Sequence, residues 1–219
     1  MYNLLLKDVL IQKKTIAMSI LISIIYSFIF KNNNDKLFVN MFISIIVVMF
    51  SYIFINTACS YDDKAEKMLN SLPVKRIDIV LTKYISIFLF LIISFVICTF
   101  VLFILNFEGL IHAKNFMTFE NILGPGIAVI LLNSIYFPMY FRFGYNKTRY
   151  VSLVVFFSIF FIPQVLSKKV TMSKINGFIQ YFNSKPDWIV VTGIIVITFI
   201  ILLISFVISY FGYKKREFS

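Results

Sequence analysis

Long runs of apolar residues, separated by short segments that hold most of the charges, are the feature that most limits how this chain can fold. Hydrophobic side chains make up 60% of the 219 residues and charged side chains only 14%, whereas a soluble domain is about 45–50% apolar and about 25% charged. One span of a bilayer needs roughly 20 apolar residues, so a chain of this length holds about six spans. The composition therefore predicts an all-α integral membrane protein and excludes an ordinary water-soluble enzyme.

Six apolar runs fit transmembrane helices. The predicted spans are Thr15 to Phe30, Leu37 to Cys59, Ile79 to Asn106, Asn121 to Phe141, Tyr150 to Leu166 and Asp187 to Tyr213. Residues 1–14 carry apolar side chains near one side and charged ones on the remainder, which predicts an amphipathic helix lying in the membrane interface. Residues 167–186 repeat apolar side chains at helical spacing and predict a second amphipathic helix on the membrane surface. The chain, residues 1–219, is thus predicted to form a single transmembrane domain.

Lysine and arginine are distributed unevenly between the two predicted sides of the membrane. About 14 of the 21 lie on the side of the termini and about 7 on the other. The positive-inside rule then predicts cytoplasmic termini, a cytoplasmic segment at residues 62–78 and an extracellular helix at residues 167–186. The net charge of +11 follows from the same rule, so nucleic acid is not an expected partner.

The sequence carries no recognisable equipment for catalysis. The single histidine, His112, has no Cys, His or Asp cluster around it, and a metal site is not expected. None of the seven glycines stands in a Walker phosphate-binding arrangement, and the spans hold no set of nucleophile, base and acid. We expect no enzyme activity and no cofactor in this chain, so energy for any work must come from a second protein.

The central portions of the predicted spans hold no ionisable side chain. A carrier coupled to ions normally keeps such a group at that depth, which disfavours a self-contained carrier or channel. That alternative stays open, because carbonyls of a broken helix also bind Na⁺ and Gly124-Pro125-Gly126 is a place where a helix can break. Another alternative is a membrane protein that works without an ATPase, such as a bacteriocin-immunity or assembly factor.

The predicted cytoplasmic segment at residues 62–78 has more internal order than a passive linker needs. Asp62 and Asp63 are placed to cap the N-terminus of a short helix. Pro73 ends that helix and opens a second one, which continues into the third span. The prediction is a helix, an elbow and another helix that together fit a groove in a partner. The alternative is a solvated turn whose charges only follow the positive-inside pattern.

This segment contains a motif. It reads Glu66-Lys67-Met68-Leu69-Asn70-Ser71-Leu72-Pro73-Val74-Lys75-Arg76, followed by Ile79-Val80-Leu81-Thr82-Lys83-Tyr84. It resembles the signature of bacterial type-2 ABC transporter permeases, in which an acidic residue precedes an SLPV and basic run that leads into the third span. The layout is similar along the whole chain: an interfacial helix, six spans, a coupling helix between spans two and three, an extracellular helix before span six and a basic tail.

The resemblance implies a permease subunit in the bacterial cytoplasmic membrane, usually a homodimer. Its partner is a separate cytoplasmic ATPase, present in two copies, which binds ATP and magnesium. The resemblance assigns the coupling element to Glu66, Leu69, Ser71, Leu72, Pro73, Val74, Lys75 and Arg76. It also implies a second, weaker contact with the ATPase through Lys7, Lys13 and Lys14.

Scattered polar residues in the spans are candidates for lining a transport path. They are Ser44, Asn56, Ser94, Asn133, Ser134 and Tyr136. Each has an alternative as an ordinary contact between packed helices. A path without fixed charges fits a lipid-like or amphipathic substrate. Since compact members of the family include exporters of antimicrobial or toxin-like amphipathic peptides, the resemblance implies such peptides as a substrate hypothesis.

Overall fold

The computed structural model describes residues 2–29, 36–64, 75–107, 119–154, 157 and 187–215. The helices in these ranges are α1 (Tyr2–Ile11), α2 (Lys13–Ile29), α3 (Lys36–Lys64), α4 (Arg76–Phe107), α5 (Phe119–Phe143), α6 (145–154) and α7 (Asp187–Lys215). No strand occurs among the described residues, so the all-α prediction is confirmed for this part of the chain. The chain divides into two compact units, residues 1–133 and 134–219, and the boundary falls within α5.

Four of the described helices are long and apolar enough to cross a membrane. Their spanning portions are Ile43–Asp63 in α3, Arg76–Ile104 in α4, Ile122–Phe143 in α5 and Trp188–Lys215 in α7. They coincide with the predicted spans two, three, four and six. The first predicted span coincides with α2, whose 17 residues extend about 26 Å, somewhat less than the roughly 30 Å of hydrocarbon in a bilayer.

Two predicted elements fall mostly or wholly outside the described residues. Of the fifth span, predicted over Tyr150 to Leu166, the structure describes the part that lies in α6 and residue 157. The extracellular helix predicted at residues 167–186 lies entirely outside. The six-span topology and the cytoplasmic position of both termini therefore stay predictions.

Helices α3 and α4 form an antiparallel pair in the first unit. The hydroxyl oxygens of Ser51 and Ser94 lie 2.6 Å apart. The rings of Phe54 and Phe90 pack with 5.8 Å between their centroids. Asp62 Oδ2 lies 2.5 Å from Lys83 Nζ. Residue numbers rise along α3 as they fall along α4, so the two helices run in opposite directions and share one register over several turns. Their ends at Lys64 and Arg76 are joined by the predicted coupling segment.

The N-terminal helices α1 and α2 turn polar side chains inwards and many apolar side chains outwards. The buried polar residues are Asp8, Gln12, Ser19 and Ser23, and the exposed apolar ones include Tyr2, Leu6, Leu10, Met18, Leu21 and Ile25. This arrangement is stable in a bilayer, because lipid solvates apolar side chains while the protein itself must satisfy polar ones. The N-terminal helix is confirmed, whereas its position in the plane of the interface stays a prediction.

The structure corrects the prediction that Asp62 and Asp63 cap the start of a new helix. Helix α3 continues through both residues to Lys64, so neither residue starts a new helix. The Asp62 carboxylate is instead compensated by two lysine side chains. The next helix, α4, begins at Arg76 and has Asp78 in its first turn, where a negative charge is favourable.

Helix α5 is continuous through Gly124, Pro125 and Gly126. Pro125 removes one backbone hydrogen bond from the helix but does not end it. A Cβ atom on Gly126 would lie 3.7 Å from Leu91 Cδ1, which places this part of α5 against α4. Because the helix is unbroken at these glycines, it does not provide there the broken helix whose carbonyls would bind Na⁺ in a carrier.

In the second unit, the end of α5 packs along the end of α7 in the same direction. The Ser205 hydroxyl donates a 2.7 Å hydrogen bond to the carbonyl oxygen of Ser134. Further along both helices, the rings of Phe141 and Tyr213 meet edge to face with 5.4 Å between centroids. Two parallel spanning helices are the arrangement expected if one further span lies between them in the sequence.

Candidate functional site

Four charged side chains from three helices meet where α3 ends and α4 begins. They are Lys7 and Asp8 of α1, Asp62 of α3 and Lys83 of α4, and we call them the ion cluster. The cluster lies at the base of the segment that joins α3 to α4. In the sequence, Asp62 precedes and Lys83 follows the residues assigned to coupling.

The Lys83 ammonium group is the centre of the ion cluster. Its Nζ lies 2.8 Å from Oδ2 of Asp8 and 2.5 Å from Oδ2 of Asp62. Lys7 pairs with the other oxygen of Asp62, and its Nζ lies 3.6 Å from Oδ1 of Asp8. The hydroxyl of Ser86 donates to Asp8 Oδ2 over 3.4 Å. Two positive and two negative charges thus form a neutral set of ion pairs.

Most of the ion cluster is buried. The exposed fractions are 1% for Asp8, 4% for Lys83 and 7% for Asp62, whereas Lys7 is half-buried. Removing one partner from a buried ion pair costs about 3–5 kcal/mol, because it leaves the other charge uncompensated. Each of these side chains therefore depends on the others, and the three helix ends are held in one arrangement.

The polar contact continues one turn beyond the ion cluster along the N-terminal helices. Gln12, the single residue between α1 and α2, is buried, and its Nε2 donates a 2.7 Å hydrogen bond to the carbonyl oxygen of Phe54 in α3. No hydrogen-bond partner for Gln12 Oε1 occurs among the described residues. The junction of α1 and α2 is thus joined to α3 independently of the ion pairs.

Sequence reasoning missed the ion cluster, although a signal for it is present. The sequence places Asp8 among the charged residues of the N-terminal helix and Lys83 in the part of the motif that follows the cytoplasmic segment. The buried polar residues at positions 8, 12, 19 and 23 recur at intervals of four and seven, as residues on one helix face do. In a membrane protein, such a polar stripe indicates the face that packs against other helices.

The structure places the predicted ATPase contacts in different surroundings. Lys75 and Arg76 are exposed at the start of α4, and Lys13 and Lys14 are exposed at the start of α2. Lys7, by contrast, belongs to the ion cluster. The other six residues of the predicted coupling element, Glu66, Leu69, Ser71, Leu72, Pro73 and Val74, lie outside the described residues. The contact of all these residues with an ATPase stays a prediction.

Two of the predicted pathway residues make contacts between packed helices. The hydroxyl of Ser94 forms a 2.6 Å hydrogen bond with that of Ser51. Ser134 is buried, and its backbone carbonyl accepts the hydrogen bond from Ser205. Both contacts are of the kind expected where transmembrane helices pack, and a role in a transport path stays a prediction for each.

The other pathway candidates are partly accounted for by local contacts. Asn56 Nδ2 donates to the carbonyl oxygen of Tyr52 over 3.3 Å, and Asn133 Nδ2 donates to that of Val129 over 2.7 Å. These bonds lie within single helices. Tyr136 is buried and stacks on Tyr140 with 6.0 Å between centroids, while Ser44 is half-buried. A role of these candidates in a transport path stays a prediction.

A comparison with protein families decides what kind of protein this is. The profile described as ABC-2 family transporter protein matches residues 3–214, nearly the whole chain. The chain belongs to the ABC-2 family of transporter proteins. No curated protein and no solved structure matches it. The resemblance to type-2 ABC permeases is thus confirmed.

Membership of the ABC-2 family gives the chain its general function. It is the membrane-spanning permease subunit of an ABC transporter, and ATP hydrolysis belongs to a partner ATPase subunit. In this permease, the ion cluster lies at the base of the segment with the coupling signature.

Proposed function

We propose that the permease exports hydrophobic or amphipathic substrates, with amphipathic antimicrobial or toxin-like peptides as the favoured class. The observation that carries this proposal is the distribution of charge in the spanning helices. In α3, α4, α5 and α7, every Asp, Glu, Lys and Arg lies within three turns of a helix end. The middle of each of these helices carries only neutral side chains.

A path between such helices has no fixed charge with which to bind an ion or a sugar phosphate. Charged side chains at membrane depth mark the pathways of ionic substrates, because a moving charge needs a compensating one. Neutral spans rich in Phe, Ile and Tyr instead provide apolar and aromatic contact surface. An amphipathic peptide or a lipid-like molecule can use that surface, since burying its apolar face is favourable.

In the proposed complex, two copies of the permease form a homodimer in the bacterial cytoplasmic membrane and bind two copies of a cytoplasmic ATPase. The coupling element from Glu66 to Arg76 sits in a groove of the ATPase. Lys75 and Arg76 support this arrangement, because both are exposed at the start of α4. The lysines at positions 13 and 14 add a weaker contact, since exposed ion pairs contribute only about 0 to 1 kcal/mol each.

The first test is a pull-down of the tagged permease from membranes of its native host in mild detergent. We expect a soluble protein with a Walker motif to co-purify at an equal number of copies. If the permease purifies without such a protein, the proposal of an ATP-driven exporter is contradicted, and a carrier or an immunity protein is favoured instead.

The second test addresses the substrate class in liposomes that contain the purified complex. We expect a cationic amphipathic helical peptide to stimulate ATP hydrolysis, and a peptide of the same composition with the apolar face scrambled to have no effect. Stimulation by a lipid or a small drug, but by none of several amphipathic peptides, would leave the exporter in place and exclude the peptide class.

A further inference from the structure

We propose that the ion cluster is a positioning device that makes the N-terminal helix part of the moving unit of the transporter. Through the ion cluster, a displacement of the segment between α3 and α4 is passed to α1 as well as to the two helices that the segment joins. Asp8, Asp62 and Lys83 are the positioning residues. The inference rests on the proposed function, because it takes that segment as the contact with the ATPase.

The first step of the argument is the position of the ion cluster relative to the segment. Asp62 lies two residues before the end of the described part of α3, and Lys83 lies in the third turn of α4. Their ion pair closes the base of the segment, since the chain leaves α3 and returns to α4 on either side of it. A force on the segment therefore acts on two helix ends that are already joined.

The second step is that the contacts form a closed ring of three helices. Lys83 joins α4 to α3 through Asp62 and joins α4 to α1 through Asp8. Lys7 joins α1 back to α3 through Asp62. Because an ion pair joins each two of these three helices, none of them can move away from another without breaking an ion pair.

The third step concerns the physics of a buried ion pair. In a medium of low dielectric constant, the attraction between opposite charges is strong and falls as they separate, and a charge left alone there is costly. The ion cluster therefore resists separation of its charges, and α1, α3 and α4 are expected to move together as one body at this point.

The fourth step connects α1 to the predicted first span. Gln12 is the only residue between α1 and α2, and the hydrogen bond from its side chain to the Phe54 carbonyl holds this junction against α3. A displacement of α1 together with α3 and α4 is thus passed directly to the start of α2.

The experiment measures one distance within the native complex of permease and ATPase. Spin labels are attached to cysteines introduced at Lys14 and Arg76, both of which are exposed, in a background where Cys59 and Cys98 are replaced by serine. Labelled copies are diluted with unlabelled ones, so that only distances within one chain are recorded. The distance is compared between the nucleotide-free complex and the complex trapped with ATP and vanadate.

Two sets of substitutions alter the ion cluster in different ways. Asp8→Asn with Lys83→Met removes the ion pairs that join α4 to α1 and to α3, but keeps the neutral pair of Lys7 and Asp62. The fourfold inversion Lys7→Asp, Asp8→Lys, Asp62→Lys and Lys83→Asp restores every opposite-charge contact with the signs exchanged. The control Ser51→Ala alters the contact between α3 and α4 several turns away from the ion cluster.

We expect the distance to be the same in both states for the native chain, the fourfold inversion and Ser51→Ala. In the Asp8→Asn, Lys83→Met variant, trapping is expected to shift it by about 5 Å, the size of a one-turn displacement between elements, with the bound ATPase unchanged. A shift in the native chain, or no shift in that variant, would overturn the inference and leave the proposed function intact.

If no ATPase co-purifies with the native chain, the proposed function fails and this inference fails with it. If the Asp8→Asn, Lys83→Met variant does not fold, the native chain and the fourfold inversion still decide the outcome.

Discussion

The carboxylate of Asp62 and the ammonium group of Lys83 lie 2.5 Å apart across the base of the segment that joins α3 to α4. Both are nearly excluded from solvent, and the same ammonium group also binds Asp8 of the N-terminal helix. The two helices that flank the segment with the coupling signature are therefore joined by a buried ion pair. Four substitutions or pairs of substitutions test what this arrangement and the surrounding packing contribute.

Replacing Lys83 by methionine is expected to destabilise the permease. The change leaves Asp8 and Asp62 with Lys7 as the nearest cation, so one buried carboxylate loses its charge compensation. We expect the free energy of unfolding, measured by denaturant titration in detergent, to fall by about 3–5 kcal/mol. The matched control Lys13→Met removes an exposed lysine and is expected to have little effect. Equal stability of the two variants would show that the ion cluster does not hold the helix ends together.

Substitutions at Gly212 and Gly193 test the packing of α7 against α5. A Cβ atom at Gly212 would lie 3.5 Å from Arg142 Cβ, whereas at Gly193 it would meet nothing within 4 Å. Gly212→Ala is expected to be tolerated, but Gly212→Leu would force the helices apart and lower stability by about 1–3 kcal/mol. Gly193→Leu is the control on the same helix and is expected to be neutral. A larger effect at Gly193 than at Gly212 would contradict this packing.

The hydroxyl pair of Ser51 and Ser94 is expected to act in stability rather than in transport. Hydrogen bonds between transmembrane helices contribute about 0.6 kcal/mol on average, so Ser51→Ala and Ser94→Ala should each have a cost of that size. Because both remove the same bond, the double variant should cost less than the sum of the two. The control pair Ser51→Ala and Thr82→Ala, in which Thr82 bonds only within α4, should be additive. Additive effects for Ser51 and Ser94, together with altered export in Ser94→Ala, would favour the predicted pathway role.

Replacing Leu72 by Asp and Pro73 by Gly is expected to uncouple the ATPase from the permease. The pair removes apolar contact and the rigid elbow from the predicted coupling element without altering a predicted span. We expect the amount of co-purified ATPase to fall at least about tenfold, as for a central interface residue, while membrane insertion is unchanged. Ile111→Asp with His112→Gly is the matched control in a loop predicted to lie on the opposite side. Equal loss of ATPase in both variants would mean that the contact lies elsewhere.

Several elements of the fold could be predicted from local sequence because their cause is local. A run of about 20 apolar residues must form a helix in a bilayer, where backbone groups have no other hydrogen-bond partners. The boundaries of α4 and α7 accordingly agree with the predicted spans to within a few residues. The prediction that Asp62 and Asp63 start a new helix was wrong, because α3 continues through both residues. Their compensation by Lys7 and Lys83 depends on helices that are distant in sequence.

The sequence by itself determined that the chain is an all-helical membrane protein, and its coupling signature pointed to the ABC transporter permeases, a family confirmed by the match to residues 3–214. The first conclusion follows from composition and the spacing of the apolar runs, and the second from the resemblance of a contiguous motif. Only the tertiary structure decided that Asp8, Asp62 and Lys83 form one buried cluster. The physical reason is that a charge in a short polar segment has the same local pattern whether it faces water or another helix. Its burial and its partner depend on how α1, α3 and α4 pack together.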